Sequence, residues 1–195
     1  MVEQTSFPSE ASYTRPRPDC PHPERWHAVD EQASEVEVIR LVQTLVHALQ
    51  PDAVIETGTY TGHMAYAIGQ ALVLNGQGKL VTMEPDPARH AESVERTNGL
   101  PVECLRRGSL TVSCDEITML APGHVGFAWF DSLIDLRLRE FEHFADLFDD
   151  RTIVGFHDTG PHFGNWSQAI REHPRLTAIH LPTPRGVLLA QFRPA

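Results

Sequence analysis

Three groups of residues have the types and spacing to do chemistry. The first is the run Glu56-Thr57-Gly58-Thr59-Tyr60-Thr61-Gly62-His63. Glycines at a strand-to-helix turn let the backbone bend tightly and approach a ligand that a Cβ would obstruct. The spacing is Gly-x-x-x-Gly, not the Gly-x-Gly-x-x-Gly that seats a pyrophosphate on a helix N-terminus. Glu56, beside the turn, can accept a hydrogen bond from a ligand ammonium. The second group is Glu84, about 20 residues further on, the distance at which an acid takes both ribose hydroxyls of a nucleoside. Each such bond to a charged acceptor contributes roughly 1.5–3 kcal/mol when shielded from water. The third group is Asp131 together with His157-Asp158-Thr159. Two carboxylates and an imidazole suit a divalent cation with open positions, Mg²⁺ or Mn²⁺. The plainer alternative is that Asp131 and Asp158 cap the helices that follow them. His157, with a near-neutral pKa, can also serve as a general base, and His162 is a weaker candidate.

These residues need elements to position them. Ser34-Glu35-Val36-Glu37 has the form of a capping box, and Val38, Val42, Leu45, Val46 and Leu49 then follow helical spacing up to Pro51. Strands are predicted over Ala53 to Thr57, Lys79 to Met83, Val102 to Leu105, Val125 to Phe130 and Thr152 to Phe156. Helices are predicted between them: Gly62 to Leu74, Asp86 to Thr97, a weak one near Asp115 to Leu120, and Asp135 to Phe148. Asn165 to His173 reads as a further helix. Thr177 to His180 and Val187 to Phe192 read as two more strands, and the link at 182–186 is too short for a crossover, so they pair antiparallel. Strands alternating with helices give an α/β fold, a mostly parallel seven-stranded sheet with helices on both faces and the last strand antiparallel. Ligands of such sheets bind at the carboxyl ends of the strands. All three chemical groups follow strand ends.

Composition bounds the rest. The length of 195 residues suits one domain, 26–195, preceded by an arm over 1–25 with five prolines, either extended or folded over the site as a lid. The net charge of −10 opposes attraction to phosphate backbones, so nucleic acid is not an expected partner. Three cysteines without CxxC spacing argue against a disulfide framework. Neither a secretory signal nor a membrane span is expected, and the cytoplasm is the default compartment.

The stretch from Glu56 to Glu84, with Gly58-Thr59-Tyr60-Thr61-Gly62 and Gly78-Lys79-Leu80-Val81-Thr82-Met83-Glu84, resembles the class I methyltransferases that use S-adenosylmethionine (SAM). It is most similar to the cation-dependent O-methyltransferases of the catechol and caffeoyl-CoA type and to their small-molecule-tailoring relatives in natural product biosynthesis. The similarity runs from about Ser34 to the end. It implies a Rossmann-like fold and SAM as cofactor, held by Glu56, Gly58, Thr59, Gly62, Glu84, Asp131 and the pair Gly108-Ser109 against adenine. It further implies a cation, Mg²⁺ or another divalent ion, on Asp131, His157 and Asp158. The acceptor is a small molecule bearing a hydroxyl, and a homodimer is the implied assembly. The pair after strand five here reads His-Asp, as in a subgroup with a His-Asp-Thr signature. The position where the catechol-type relatives carry a basic lysine is Ile134, which moves weight onto His157 as the base, with Asp131 beside it. An aromatic rim of Trp26, His27, Phe163 and Trp166 is expected around the acceptor. The competing functions are a nicotinamide-dependent oxidoreductase and a non-catalytic methyltransferase-like binding module.

Overall fold

The computed structural model describes residues 25–30 and 32–194; the arm expected over 1–25 lies outside them but for Arg25. Helix α1 (Val36–Leu49) buries Val38, Ile39, Val42 and Val46, the three-to-four spacing of one helix face. It closes at Gln50 in the left-handed conformation, one residue before Pro51. The capping box does not form. The cap residue is Glu35, no side chain caps the helix, and Ser34 and Glu35 turn instead toward the sheet.

The chain then alternates as expected. In order come β1 (Ala53–Thr57), α2 (His63–Asn75), β2 (Lys79–Met83), α3 (Pro87–Arg96), β3 (Val102–Leu105), α4 (Cys114–Leu120) and β4 (Val125–Phe130). They are followed by α5 (Arg137–Phe144), β5 (Ile153–His157), α6 (Trp166–Arg171), β6 (Leu176–Leu181) and β7 (Val187–Phe192). Among the described residues the sheet has seven strands in the order β3-β2-β1-β4-β5-β7-β6. The first five are parallel, and β7 lies antiparallel between β5 and β6. Helix α5 is shorter than the amphipathic pattern suggests, because Ala145–Leu147 tightens into a 3-10 turn.

The core has two halves, one on each side of the sheet. Phe127 and Trp129 of β4 face α1 and α2, while Ala128 and Phe130 face α4, α5 and α6. That is the period-two alternation of a strand buried on both faces. Phe141 of α5 meets Phe130, Phe156 and Phe192 edge-on, with ring centroids 6.0 to 6.3 Å apart. Each such ring contributes roughly 1.5–3 kcal/mol through burial. The cluster also fixes the first turn of α5 above the ends of β4 and β5.

Register decides where the chemistry emerges. Thr57 lies level with Met83 and Phe130, and Phe130 level with Phe156. The residues one step beyond, Gly58, Glu84, Asp131 and His157, therefore line up along one edge of the sheet, His157 as the last residue of β5. Gly58 has φ +81°, and a Cβ there would strike the backbone carbonyl of Asp131. Its glycine is required by contact between two turns of the protein as well as by the bend. No helix among the described residues is long and apolar enough to cross a membrane.

Candidate functional site

A cleft of about 600 Å³ opens over the carboxyl ends of β1, β2, β4 and β5. Gly58, Glu84, Gly108, Ser109, Asp131 and Asp158 all line it. A smaller hollow beside it is walled by Glu56, Gly58, Thr59 and Asp131. Gly62 and His157 line neither: Gly62 opens α2 at φ +85°, with a Ser93 backbone atom 2.9 Å from where its Cβ would be. His157 is fully buried.

Glu84 is aimed by the backbone. Its two oxygens accept the amides of Tyr60 and Asp86, each at 2.9 Å, and Tyr60 holds a left-handed φ of 52° in the glycine turn. Each carboxylate oxygen keeps a second lone pair, which a ribose hydroxyl can use. Glu56 lies buried beneath the turn and accepts from Thr82 Oγ1 at 2.5 Å. Burial, reinforced by the charges of Asp131 and Glu84, pushes its pKa up to about 8 against the pull of the Thr82 bond.

The expected trio of Asp131, His157 and Asp158 does converge, each presenting an atom within 4.8 Å of the others. Neither aspartate caps a helix: α5 begins after Leu136 and α6 after Asn165, both without a side-chain cap. Their partners are cations. Arg137 Nη2 donates to Asp131 Oδ1 at 3.0 Å and to Asp158 Oδ2 at 2.9 Å. Arg185 takes the other side of Asp158, with Nε 2.6 Å from Oδ1 and Nη2 3.1 Å from Oδ2. Asp131 Oδ2 accepts from Ser34 Oγ at 2.8 Å. His157 has a carboxylate at each nitrogen: Glu35 at 2.8 Å from Nε2 and Asp131 at 3.2 Å from Nδ1.

Burial works against a charged imidazole, but Asp131, Asp158 and Glu35 outweigh it and push the His157 pKa up to about 10. Burial likewise tends to raise the Asp158 pKa, yet His157, Arg137 and Arg185 pull it down to about 2. Both His157 nitrogens thus carry hydrogens directed at carboxylates. A ring in that state offers no lone pair to a metal or to a proton. The divalent cation implied by the resemblance does not fit this donor set either. The carboxylates of Asp131 and Asp158 already hold two guanidinium groups.

Sequence reading missed five residues of this site: Ser34, Glu35, Arg137, Glu140 and Arg185. Glu140 is fully buried and accepts hydroxyls from Thr57 at 2.9 Å, Ser132 at 2.6 Å and Ser109. It ties β1, the turn after β3 and the turn after β4 to α5. A signal for it and for Arg137 existed, since both fall on the face of α5 that also carries Phe141 and Phe144. A charge on a buried face needs a partner. Of the aromatic rim, Phe163 lines the cleft. Trp166 packs on the core and donates its indole N–H to the Asp158 carbonyl at 3.0 Å, and Trp26 packs on the opposite core. His27 sits 2.8 Å from Glu37.

The profile of a methyltransferase-domain family matches residues 55–159, more than half of the chain and every strand tip just described. The chain belongs to that family. No curated protein sequence matches the domain significantly. Solved structures do resemble it in fold. An SAH-bound methyltransferase from Podospora anserina has TM-score 0.70 at 16% identity, covering 84% of this chain and 81% of that one. An O-methyltransferase from Streptomyces achromogenes, involved in tomaymycin synthesis and solved with SAM, has TM-score 0.69 at 17% identity, over 85% of this chain and 84% of that one. An O-methyltransferase from Bacillus cereus in complex with SAH gives 0.67 at 17% identity, over 84% of each chain. The methyltransferase domain here thus has the class I architecture expected of it, terminal antiparallel pairing included.

Proposed function

We propose that this methyltransferase domain transfers the methyl group of SAM to a hydroxyl of a small-molecule acceptor. One observation carries the reading: Glu84, the Gly58 turn, Gly108-Ser109 and Asp131 all line a single cleft. Glu84 takes the ribose hydroxyls, Gly108-Ser109 lies beside adenine, and Glu56 in the adjoining hollow faces the ammonium of the amino-acid tail. The relatives solved with SAM or SAH, two of them O-methyltransferases, support the choice of ligand and of oxygen as acceptor.

Transfer is in line. The acceptor oxygen forms a bond to the methyl carbon as the carbon–sulfur bond breaks, and its electron pair stays on sulfur. Alignment of the two reactants supplies much of the rate. The hydroxyl proton leaves toward Asp131, the acid of the cluster that keeps a 16% exposed side chain in the cleft. Arg137 and Ser34 fix the orientation of that carboxylate. Loops walling the cleft, including Leu133, Ile134 and Phe163, give the acceptor an apolar surround.

Titrating SAM and NADH side by side by calorimetry tests the ligand. SAM is expected to bind in the micromolar range of enzyme substrates, and about 1 μM to 1 mM spans that class. Binding of NADH instead of SAM would overturn the reading. Incubation with isotopically labelled SAM and panels of phenols and sugars tests the reaction. SAM affinity without any labelled product would turn the reading toward a binding module.

A further inference from the structure

We propose that Arg137 and Arg185, seated on Asp131 and Asp158, stand in place of a divalent cation at the ends of β4 and β5, so that this site works without bound metal. The inference deepens the methyltransferase reading and rests on it for the reaction; the arginine geometry is independent of it. Charge is the first argument. Two carboxylates face two guanidinium groups, and arginine does not lose its proton in proteins. The double positive charge that a divalent ion would bring is already present.

Geometry is the second. Arg137 is 2% exposed and its Nη2 sits between the two acids, 3.0 Å from Asp131 and 2.9 Å from Asp158. A metal bridging those acids needs the space Nη2 fills. Nor can the side chain swing aside cheaply. Its Nε and Nη2 donate to the Ser132 carbonyl at 2.9 and 2.7 Å, and Nη1 donates to the His157 carbonyl. The ring of Trp166 closes its face, with the guanidinium carbon 5.4 Å from the centroid. Expelling Arg137 for a metal would leave a buried cation without its carboxylates, which is strongly unfavourable. Arg185 adds a two-point grip on Asp158 and anchors through Nη1 to the Gln32 and Ala33 carbonyls at 3.0 and 3.2 Å.

A consequence for the acceptor follows. Without a metal there is nothing to chelate two neighbouring oxygens, so a single hydroxyl suffices and a vicinal diol gains no advantage. Arg137 is a positioning residue here, acting through Asp131.

The test reads metal binding directly. The full chain is titrated with Mn²⁺ and free ion is followed by electron paramagnetic resonance, with and without S-adenosylhomocysteine. Wild type is expected to show no stoichiometric site up to about 1 mM Mn²⁺, far above a designed oxygen site's needs. Arg137→Ala vacates the position between the acids and is expected to tighten Mn²⁺ binding at least about tenfold. Arg137→Lys keeps the charge and is expected to gain nothing. One Mn²⁺ bound by wild type below that concentration, and lost in Asp158→Asn, would overturn the proposal. Should Arg137→Ala fail to fold, the wild-type titration still decides. Failure of the functional reading shows separately, as absent SAM affinity in the same wild-type sample.

Discussion

Glu56 is buried under the glycine turn with a pKa near 8, so at neutral pH it holds a proton until something positive arrives. The ammonium of SAM is such a group under the proposed function. Its approach favours the carboxylate, the proton is released, and affinity should climb as pH rises toward 8. The ligand's own amino group titrates in the same region, near 7.7–8.0 as a rough reference. Comparison with Glu56→Gln separates the two. Calorimetry is expected to show wild type binding SAM about tenfold more tightly than the variant near pH 9, with the gap closing near pH 6. Equal pH slopes for the two proteins would remove Glu56 from the ammonium site. At this scale much was legible. Glu84, Gly58 and Asp131 each stand one residue past a strand whose apolar run marks its end. Arg185 was not legible, since a lone arginine in a proline-rich turn gives no sign that it is anchored to residues 150 positions earlier.

Elements show where sequence reasoning stops and why. The five parallel strands and the terminal pair follow from short apolar runs bounded by glycine, proline and charge, and their register brings the chemical residues to one edge. The segment before α1 was read as a local cap, since Ser34 and Glu37 have the spacing of one. Tertiary partners win instead: Ser34 reaches Asp131, Glu35 reaches His157 and the Arg185 amide, and Glu37 accepts the His27 amide at 3.0 Å. A capping bond is worth about 1 kcal/mol, whereas an unpaired buried ion costs several. Glu35→Ala is therefore expected to destabilise the fold by about 3–5 kcal/mol, seen as a lowered urea midpoint. Ser34→Ala, which removes one bond to a carboxylate that keeps its arginine, is expected to cost only about 1 kcal/mol. A Glu35→Ala protein as stable as Ser34→Ala would mean that the segment merely rests on the site.

At the scale of the whole molecule the buried charges predict how stability varies with pH. His157 has its folded pKa raised from 6.5 to about 10. Its contribution is complete below 6.5 and is lost as pH rises through 10. Glu56 is raised from 4.5 to about 8, so its protonated form favours folding below 4.5 and that advantage disappears through 8. Both slopes run downward on the alkaline side. Asp158 works in the other direction, lowered from 3.8 to about 2, so its contribution is present above 3.8 and lost as acid brings the pH through 2. Glu35 is also lowered from 4.5: burial opposes this, but the hydrogen bond and charge of His157 prevail. The thermal midpoint is thus expected to peak at about pH 4.5 and to fall continuously toward pH 10. Because the cluster is shielded from solvent, raising the salt should change that profile little. In Glu56→Gln the decline between pH 5 and 8 should shrink while the later one, owed to His157, stays. A thermal midpoint that holds level or rises from pH 6.5 to 10 would mean that His157 is neutral in the fold. One of its nitrogens would then carry a lone pair able to bind or accept, and Glu35 would lose the charged ring that balances it.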